Sequence, residues 1–229
     1  PTLSRQIRAG EEGAARDTQN RGLELGMLFT LPAAAGLALL SLPIVTSLFA
    51  RGAFDADAAD QTATALAAYA AGLPAFVMIK VFQPGFFARQ DTKTPVKIGA
   101  ATVVLNLILN LILMQYLAHV GLALATAIAS WANMAFLCLI LTRRGAFSVD
   151  QRATSRLVRI VAATAVMALG LVGATDLIRP WLDGPPMDAA GALVLLVFGG
   201  LTVYVVAASL FGAVRLEEIR EALARRTRT

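Results

Sequence analysis

A chain of 229 residues that is 57% hydrophobic, 15% charged and +0.68 in mean hydropathy lies far outside the range of water-soluble domains. Its formal net charge of +5 does not point to a nucleic-acid partner, because the basic residues are divided among short segments that flank apolar runs. One His and one Cys leave no basis for a Ser-His-Asp or Cys-His set, no His, Cys and Asp group has metal-ligand spacing, and no glycine-rich phosphate loop follows a strand pattern.

In chain order, residues 1–21 lack a basic stretch followed by an apolar core, so they are not a signal peptide. The chain opens on Pro1 without an initiator Met and reads as part of a longer membrane protein, with residues 1–24 an amphipathic cytoplasmic segment. Six apolar runs follow: 25–50, 61–88, 98–118, 120–142, 157–178 and 189–214. Each reaches the ~20 residues that a helix needs to cross a bilayer. Backbone groups in lipid must pair within the segment, and barrel-type alternation is absent, so the fold expected is an all-α polytopic membrane protein with six transmembrane helices. Residues 25–147 form a four-helix unit, 148–214 a helix pair and 215–229 a tail. Leu216, Ile219 and Leu223 of that tail share one face among arginines, a pattern for an interfacial helix on anionic headgroups.

Charge sets the orientation. Of the 20 Lys and Arg, 17 lie before the first run, between the second and third, between the fourth and fifth, or after the sixth. Asp55, Asp57, Asp60, Asp176, Asp183 and Asp188 collect on the other side. The positive-inside rule therefore puts both ends of the segment in the cytoplasm. Asp55, Asp57 and Asp60 are expected to solvate the turn after Arg51 and cap the helix that follows.

Within the runs, Lys80 stands out. It lies nine residues before Arg89, where the second run stops, which places it roughly 13 Å inside the hydrocarbon edge. Snorkelling covers only part of that depth, so the charge calls for an aqueous cavity or a partner. Tyr69, Gly72, Phe76, Lys80 and Gln83 recur at steps of three or four and are expected to share one helix side, with Pro74 and Pro84 permitting bends. Asn106 and Asn110 stack on one face of the third run, and Thr126, Ser130 and Asn133 form a similar stripe on the fourth. Such stripes more often join helix to helix than bind a ligand. His119 reads as a polar turn residue and Cys138 as a packing residue.

The charged turn between the second and third runs, ARQDTKTPVK, carries Arg89, Asp91, Lys93 and Lys97 and reads as a headgroup anchor and gate element ahead of a direct binding site for a phosphate group. Asp91 is expected to pair with Arg89 or Lys93, and Pro95 to fall early in the next helix, where its missing N–H is tolerated. The last two runs offer few polar residues and several glycines, suiting either contact with lipid or a lipid-like chain or a peripheral scaffold pair.

The succession RGAF (51–54), AYAAGLPAF (68–76), KVFQPGFFARQDTKTPVKI (80–98) and HVGLALATAIASWANM (119–134) resembles the MurJ/MviN family, bacterial lipid II flippases of the MOP exporter superfamily. The resemblance is strongest over 51–147 and weaker, by position and hydropathy, over the last two runs. It implies two six-helix lobes around a central cationic cavity, followed by two extra helices. The first four runs would be the last four helices of the second lobe, and the last two the extra pair, whose groove would take an undecaprenyl tail. The implied activity is translocation by alternating access, without chemical turnover, of lipid II, an undecaprenyl-pyrophosphate-linked disaccharide-pentapeptide. The implied setting is the bacterial inner membrane, with membrane lipids and the N-terminal lobe of the same protein as further partners. No cofactor is implied beyond an ion gradient or the membrane potential. The cavity arginines of the family have no counterpart in this segment, which leaves Lys80 as the first candidate for a cavity charge, then Gln83, Asn106 and Asn110. Two other readings are an exporter of the same superfamily acting on polysaccharide lipids or drugs, and a membrane enzyme acting on lipid-linked sugars.

Overall fold

The computed structural model describes residues 2–49 and 56–213; the RGAF motif and the tail from residue 214 onward lie outside them. The described residues form eight helices and no strand: α1 (Thr2–Arg8), α2 (Glu12–Leu39), α3 (Ser41–Phe49), α4 (Ala56–Phe87), α5 (Lys93–Arg143), α6 (Gln151–Leu177), α7 (Arg179–Leu182) and α8 (Pro186–Leu210). Five of them, α2, α4, α5, α6 and most of α8, are long and apolar enough to cross a membrane.

The third and fourth apolar runs are continuous in α5, whose 51 residues would measure about 76 Å if straight, against a hydrocarbon core of about 30 Å. The helix is not straight. Ala118 has φ 46° and ψ −128°, outside helical space, and beyond it the chain runs back along itself. Two side-chain bonds mark the antiparallel halves: Asn133 Nδ2 donates to Thr102 Oγ1 at 3.0 Å, and Asn106 Nδ2 to Thr126 Oγ1 at 3.5 Å. Gly121 makes the reversal tight, since a Cβ there would lie 2.5 Å from the Leu113 carbonyl. The turn expected at His119 is thus centred one residue earlier.

No break falls at residue 24. α2 begins at Glu12 and continues through the charged segment into the apolar run, and it ends at Leu40 before the short α3. α2 is also the helix shared by two cores. On one side Leu23 joins Met78, Phe82 and Phe86 of α4 with Leu137, Leu141 and Phe147, where the Phe82 and Phe147 rings meet edge-on at 5.2 Å. On the other, Leu28 and Leu40 join Ile160, Met167 and Leu171 of α6 with Leu196 and Tyr204 of α8. α4 packs between α2 and α5, while α6 and α8 form a pair against α2.

Helix ends follow local chemistry. α1, α4, α5 and α8 each close with a left-handed residue, Gly10, Gln90, Gly145 and Gly212 respectively. The amide of that residue and the next one return to the last turn, as in Gly145 N to Thr142 O and Ala146 N to Leu141 O. Asp150 caps α6 by accepting from the Ala153 amide. Asp57 lies in the first turn of α4, where a negative charge meets the positive end of the helix dipole, and it accepts from Gln61 at 2.6 Å.

Candidate functional site: the Lys80 face and the α4–α5 turn

Tyr69, Phe76, Lys80 and Phe87 recur at helical spacing on α4, and all four are exposed, so a continuous strip of the helix is left uncovered by the other described helices. Gln83 on the same strip is half-buried. Gly72 departs from the expected face. It lies at the edge of the strip and is buried against the second half of α5, where a Cβ would stand 2.9 Å from Ala127 Cα. The partner found for Lys80 is an aromatic face: its Nζ sits 4.8 Å from the centre of the Phe76 ring. Such a contact stabilises an ammonium by roughly 0.5–2 kcal/mol, more as water is withdrawn. Pro84 adds a second polar group, because it cannot donate to the Lys80 carbonyl four residues back.

Asn106 and Asn110 are brought together with each other rather than with Lys80. Asn110 Nδ2 donates to Asn106 Oδ1 at 3.1 Å, and Asn106 reaches Thr126 across the α5 hairpin. Among the described residues no hydrogen bond joins Lys80 or Gln83 to this pair. The stripe serves helix pairing, as polar residues in apolar helices commonly do. Trp131, on the second half of α5, donates from Nε1 to Ala71 O at 2.9 Å, in the stretch of α4 that Pro74 loosens.

At the other end of α4, the charged turn is a clamp. Arg89 pairs with Glu12 at the start of α2 at 2.5 Å and also donates to Gly85 O. Asp91 pairs with neither Arg89 nor Lys93. Its carboxylate accepts from Arg144 at 2.6 Å, from the Thr94 amide at 3.0 Å and from the Thr94 hydroxyl at 2.6 Å. The reason is geometric. Gln90 takes the left-handed position that ends α4, which turns Asp91 back toward the start of α5. The α5 hairpin then delivers Arg144 to the same spot from 53 residues away. Arg144 lies 5.7 Å from the Phe86 ring centre and donates also to Thr94 Oγ1. The Arg144 guanidinium, followed by the two Thr94 donors, holds the Asp91 carboxyl well below the usual carboxylate range. Lys93 and Lys97 are exposed on the first turns of α5.

Sequence reasoning missed a third set of polar ties, made by α2. Glu24, 3% exposed, pairs with Arg156 of α6 at 2.8 Å, and Arg156 also donates to Ala213 O beyond α8. Asn20 donates to Ser148 O, and Arg16 to Gly145 O. Gln19 is buried against Gly85 with both polar atoms of its amide unpartnered. The available signal was helical spacing. Gln19, Asn20, Leu23 and Glu24 fall on one side of a helix once α2 is extended back to Glu12.

The family described as lipid II flippase MurJ matches residues 1–184. A probable lipid II flippase MurJ from Rhizobium meliloti (strain 1021) is 40% identical over 98% of this chain and 42% of its own length. One from Vibrio cholerae serotype O1 is 35% identical over 97% of this chain, again 42% of its own length. A solved lipid II flippase MurJ in an inward closed conformation superposes with a TM-score of 0.72 over 91% of this chain and 41% of that one, at 23% identity, a likeness of fold. The chain thus spans about two-fifths of the length of these relatives. On the strength of the family match and the curated relatives, the chain belongs to the lipid II flippase MurJ family.

Proposed function

We propose that this segment is the C-terminal part of a lipid II flippase that moves the undecaprenyl-linked peptidoglycan precursor from the cytoplasmic to the outer face of the inner membrane. It does so by alternating access rather than by chemical turnover. The observation that carries the reading is the family match over residues 1–184 together with curated relatives of that name at 35–40% identity. The six apolar runs then count as six spans, the two halves of α5 being two, with both ends of the segment cytoplasmic by the distribution of Lys and Arg. The segment is the last four helices of one lobe plus a C-terminal pair, and transport requires the N-terminal lobe of the same protein.

In this reading the uncovered strip of α4 faces the central cavity. Lys80 adds positive charge there for a pyrophosphate, steadied by Phe76 and flanked by Gln83. Asn106 and Asn110 line the same lobe through their pairing. Arg89, Asp91, Lys93 and Lys97 hold the cytoplasmic end of the lobe, and the exposed apolar sides of α6 and α8 suit the polyprenyl tail.

The test is complementation with the full-length protein in cells depleted of their native flippase. Wild type is expected to restore growth, Lys80→Arg to retain it, and Lys80→Met to lose it at equal abundance. Failure of the wild type to rescue would remove the flippase reading. Full rescue by Lys80→Met would leave that reading and remove the role of Lys80.

A further inference from the structure

Polar atoms that find no partner within the protein gather on one side of α2. Arg16, Gln19 and Asn20 follow at steps of three and one, so they share a face of the helix. That face meets Gly85 near the end of α4, Leu141 near the end of α5, and the turn at Gly145 and Ser148. Among the described residues, six buried side-chain nitrogen and oxygen atoms lack a hydrogen-bond partner, and four of them belong to these three side chains: Arg16 Nε, Gln19 Nε2, Gln19 Oε1 and Asn20 Oδ1. We propose that this set binds ordered internal water at the junction of α2, α4 and α5.

Three observations support it. The first is burial. Gln19 and Asn20 are 2% and 3% exposed. A buried polar group left bare forfeits its hydration, and four on one helix face weigh heavily on a fold that is stable by a small margin. Native proteins satisfy such groups with enclosed water. The second is chemistry. Arg16 Nε and Gln19 Nε2 only donate, whereas Gln19 Oε1 and Asn20 Oδ1 only accept. The Asn20 amide is held in this sense because its Nδ2 donates to Ser148 O at 3.0 Å, and Arg16 is held by its bond to Gly145 O. An anion in this set would face two amide oxygens, and a cation would face a guanidinium. Water both accepts and donates, so it suits all four atoms.

The third is construction. Gly85 makes the place for the amide, since a Cβ there would overlap Gln19 Nε2 and would lie 3.3 Å from both methyl groups of Leu141. The side chains that continue this junction inward, Leu23, Phe82, Phe86 and Leu141, are apolar and offer Gln19 no partner. Solvent is close on the other side. Glu12 stands one turn before Arg16 with its side chain 49% exposed, so bulk water lies about 5 Å along α2 from the set. The bound water hydrates the seam where α2 meets the ends of α4 and α5, next to the Arg89–Glu12 pair.

The experiment uses the full-length protein in detergent. Brief X-ray radiolysis converts bound water to hydroxyl radical in place, and mass spectrometry reads which side chains it oxidises. Leu141 and Leu137, 1% and 0% exposed, lie one turn apart on α5, and only Leu141 adjoins the set. Oxidation of Leu141 but not Leu137 is expected in wild type. It should be lost in Gln19→Met, a change of similar shape that removes both amide atoms. The same variant is expected to melt below wild type, because the water loses partners; a dry, bare amide predicts the opposite, since methionine would relieve two unpaired atoms. An equal or raised melting temperature, or equal oxidation of Leu141 in the two proteins, would overturn the proposal. So would an unlabelled Leu141 in wild type, a result that stands whether or not Gln19→Met folds. A melting temperature that rises with sodium or chloride in wild type but not in Gln19→Met would put an ion in place of the water and overturn it as well.

Discussion

The Tyr204 hydroxyl on α8 donates to the Leu28 carbonyl on α2 at 2.6 Å, and Leu28 lies four residues before Pro32. In a regular helix the amide of residue 32 would bond that carbonyl, but proline has no N–H. Tyr204 therefore satisfies the one acceptor that the α2 sequence orphans, and in doing so pins the C-terminal pair to the preceding helices. Tyr204→Phe is expected to lower stability by about 1–2 kcal/mol, measured by thermal denaturation of the full-length protein in detergent. Combining it with Pro32→Ala, which restores the amide, should erase most of that cost, so the two changes will not add.

Asp91 gives a pH dependence with a definite sign. Its carboxyl titrates below the unfolded value of about 4 because Arg144 and Thr94 bind the charged form. The contribution is whole above that value, shrinks as pH falls below it, and is gone once the folded carboxyl is protonated. Asp91→Asn should therefore melt lower than wild type at about pH 7, with the gap narrowing toward about pH 3. Raising salt at neutral pH should narrow it too, since the pair is partly exposed.

The Glu24–Arg156 pair behaves differently because its side chains are only 4% and 13% exposed. Removing one partner leaves the other charge buried, so Glu24→Leu is expected to destabilise by about 3–5 kcal/mol. Glu24→Leu with Arg156→Met should recover most of the loss. Denaturation of the two variants in parallel checks the difference.

The α5 reversal holds an alanine where the backbone favours glycine. Ala118→Gly is expected to stabilise by about 1 kcal/mol. Gly121→Ala should cost about 1–3 kcal/mol, because its new methyl would meet the Leu113 backbone rather than a movable side chain. Gly99→Ala, where a Cβ meets nothing within 4 Å, serves as the neutral control.

Much of the fold was legible because lipid forces a simple code: apolar runs, charged breaks and basic flanks. The break near His119 could be placed from the lengths of the runs it divides, although nothing in the sequence singled out Ala118. Contacts between distant segments were not legible. Asp91 has basic neighbours on both sides, and only the antiparallel α5 hairpin explains why Arg144 displaces them. Glu24 looked like the border of a span because the basic residues before it suggested a loop. The long α2 makes it an interior residue. At the candidate site, depth singled out Lys80 from sequence alone. Its contact with Phe76 was implicit in their spacing of four, which puts the two on the same helix face.

The arginine contacts to turn carbonyls carry one more consequence. Arg16 bonds Gly145 O, Arg159 bonds Gly212 O and Arg156 bonds Ala213 O, so basic residues that flank the apolar runs, the pattern from which the proposed orientation is read, also fasten the turns between helices. Biogenesis reads only their charge, whereas the finished protein uses their shape. Lysine at these three positions would keep the positive charge that the orientation rule reads and lose the planar fork, yielding a chain with the same charge pattern but more loosely tied turns. The two duties, fused in the natural sequence, can thus be separated by one conservative exchange.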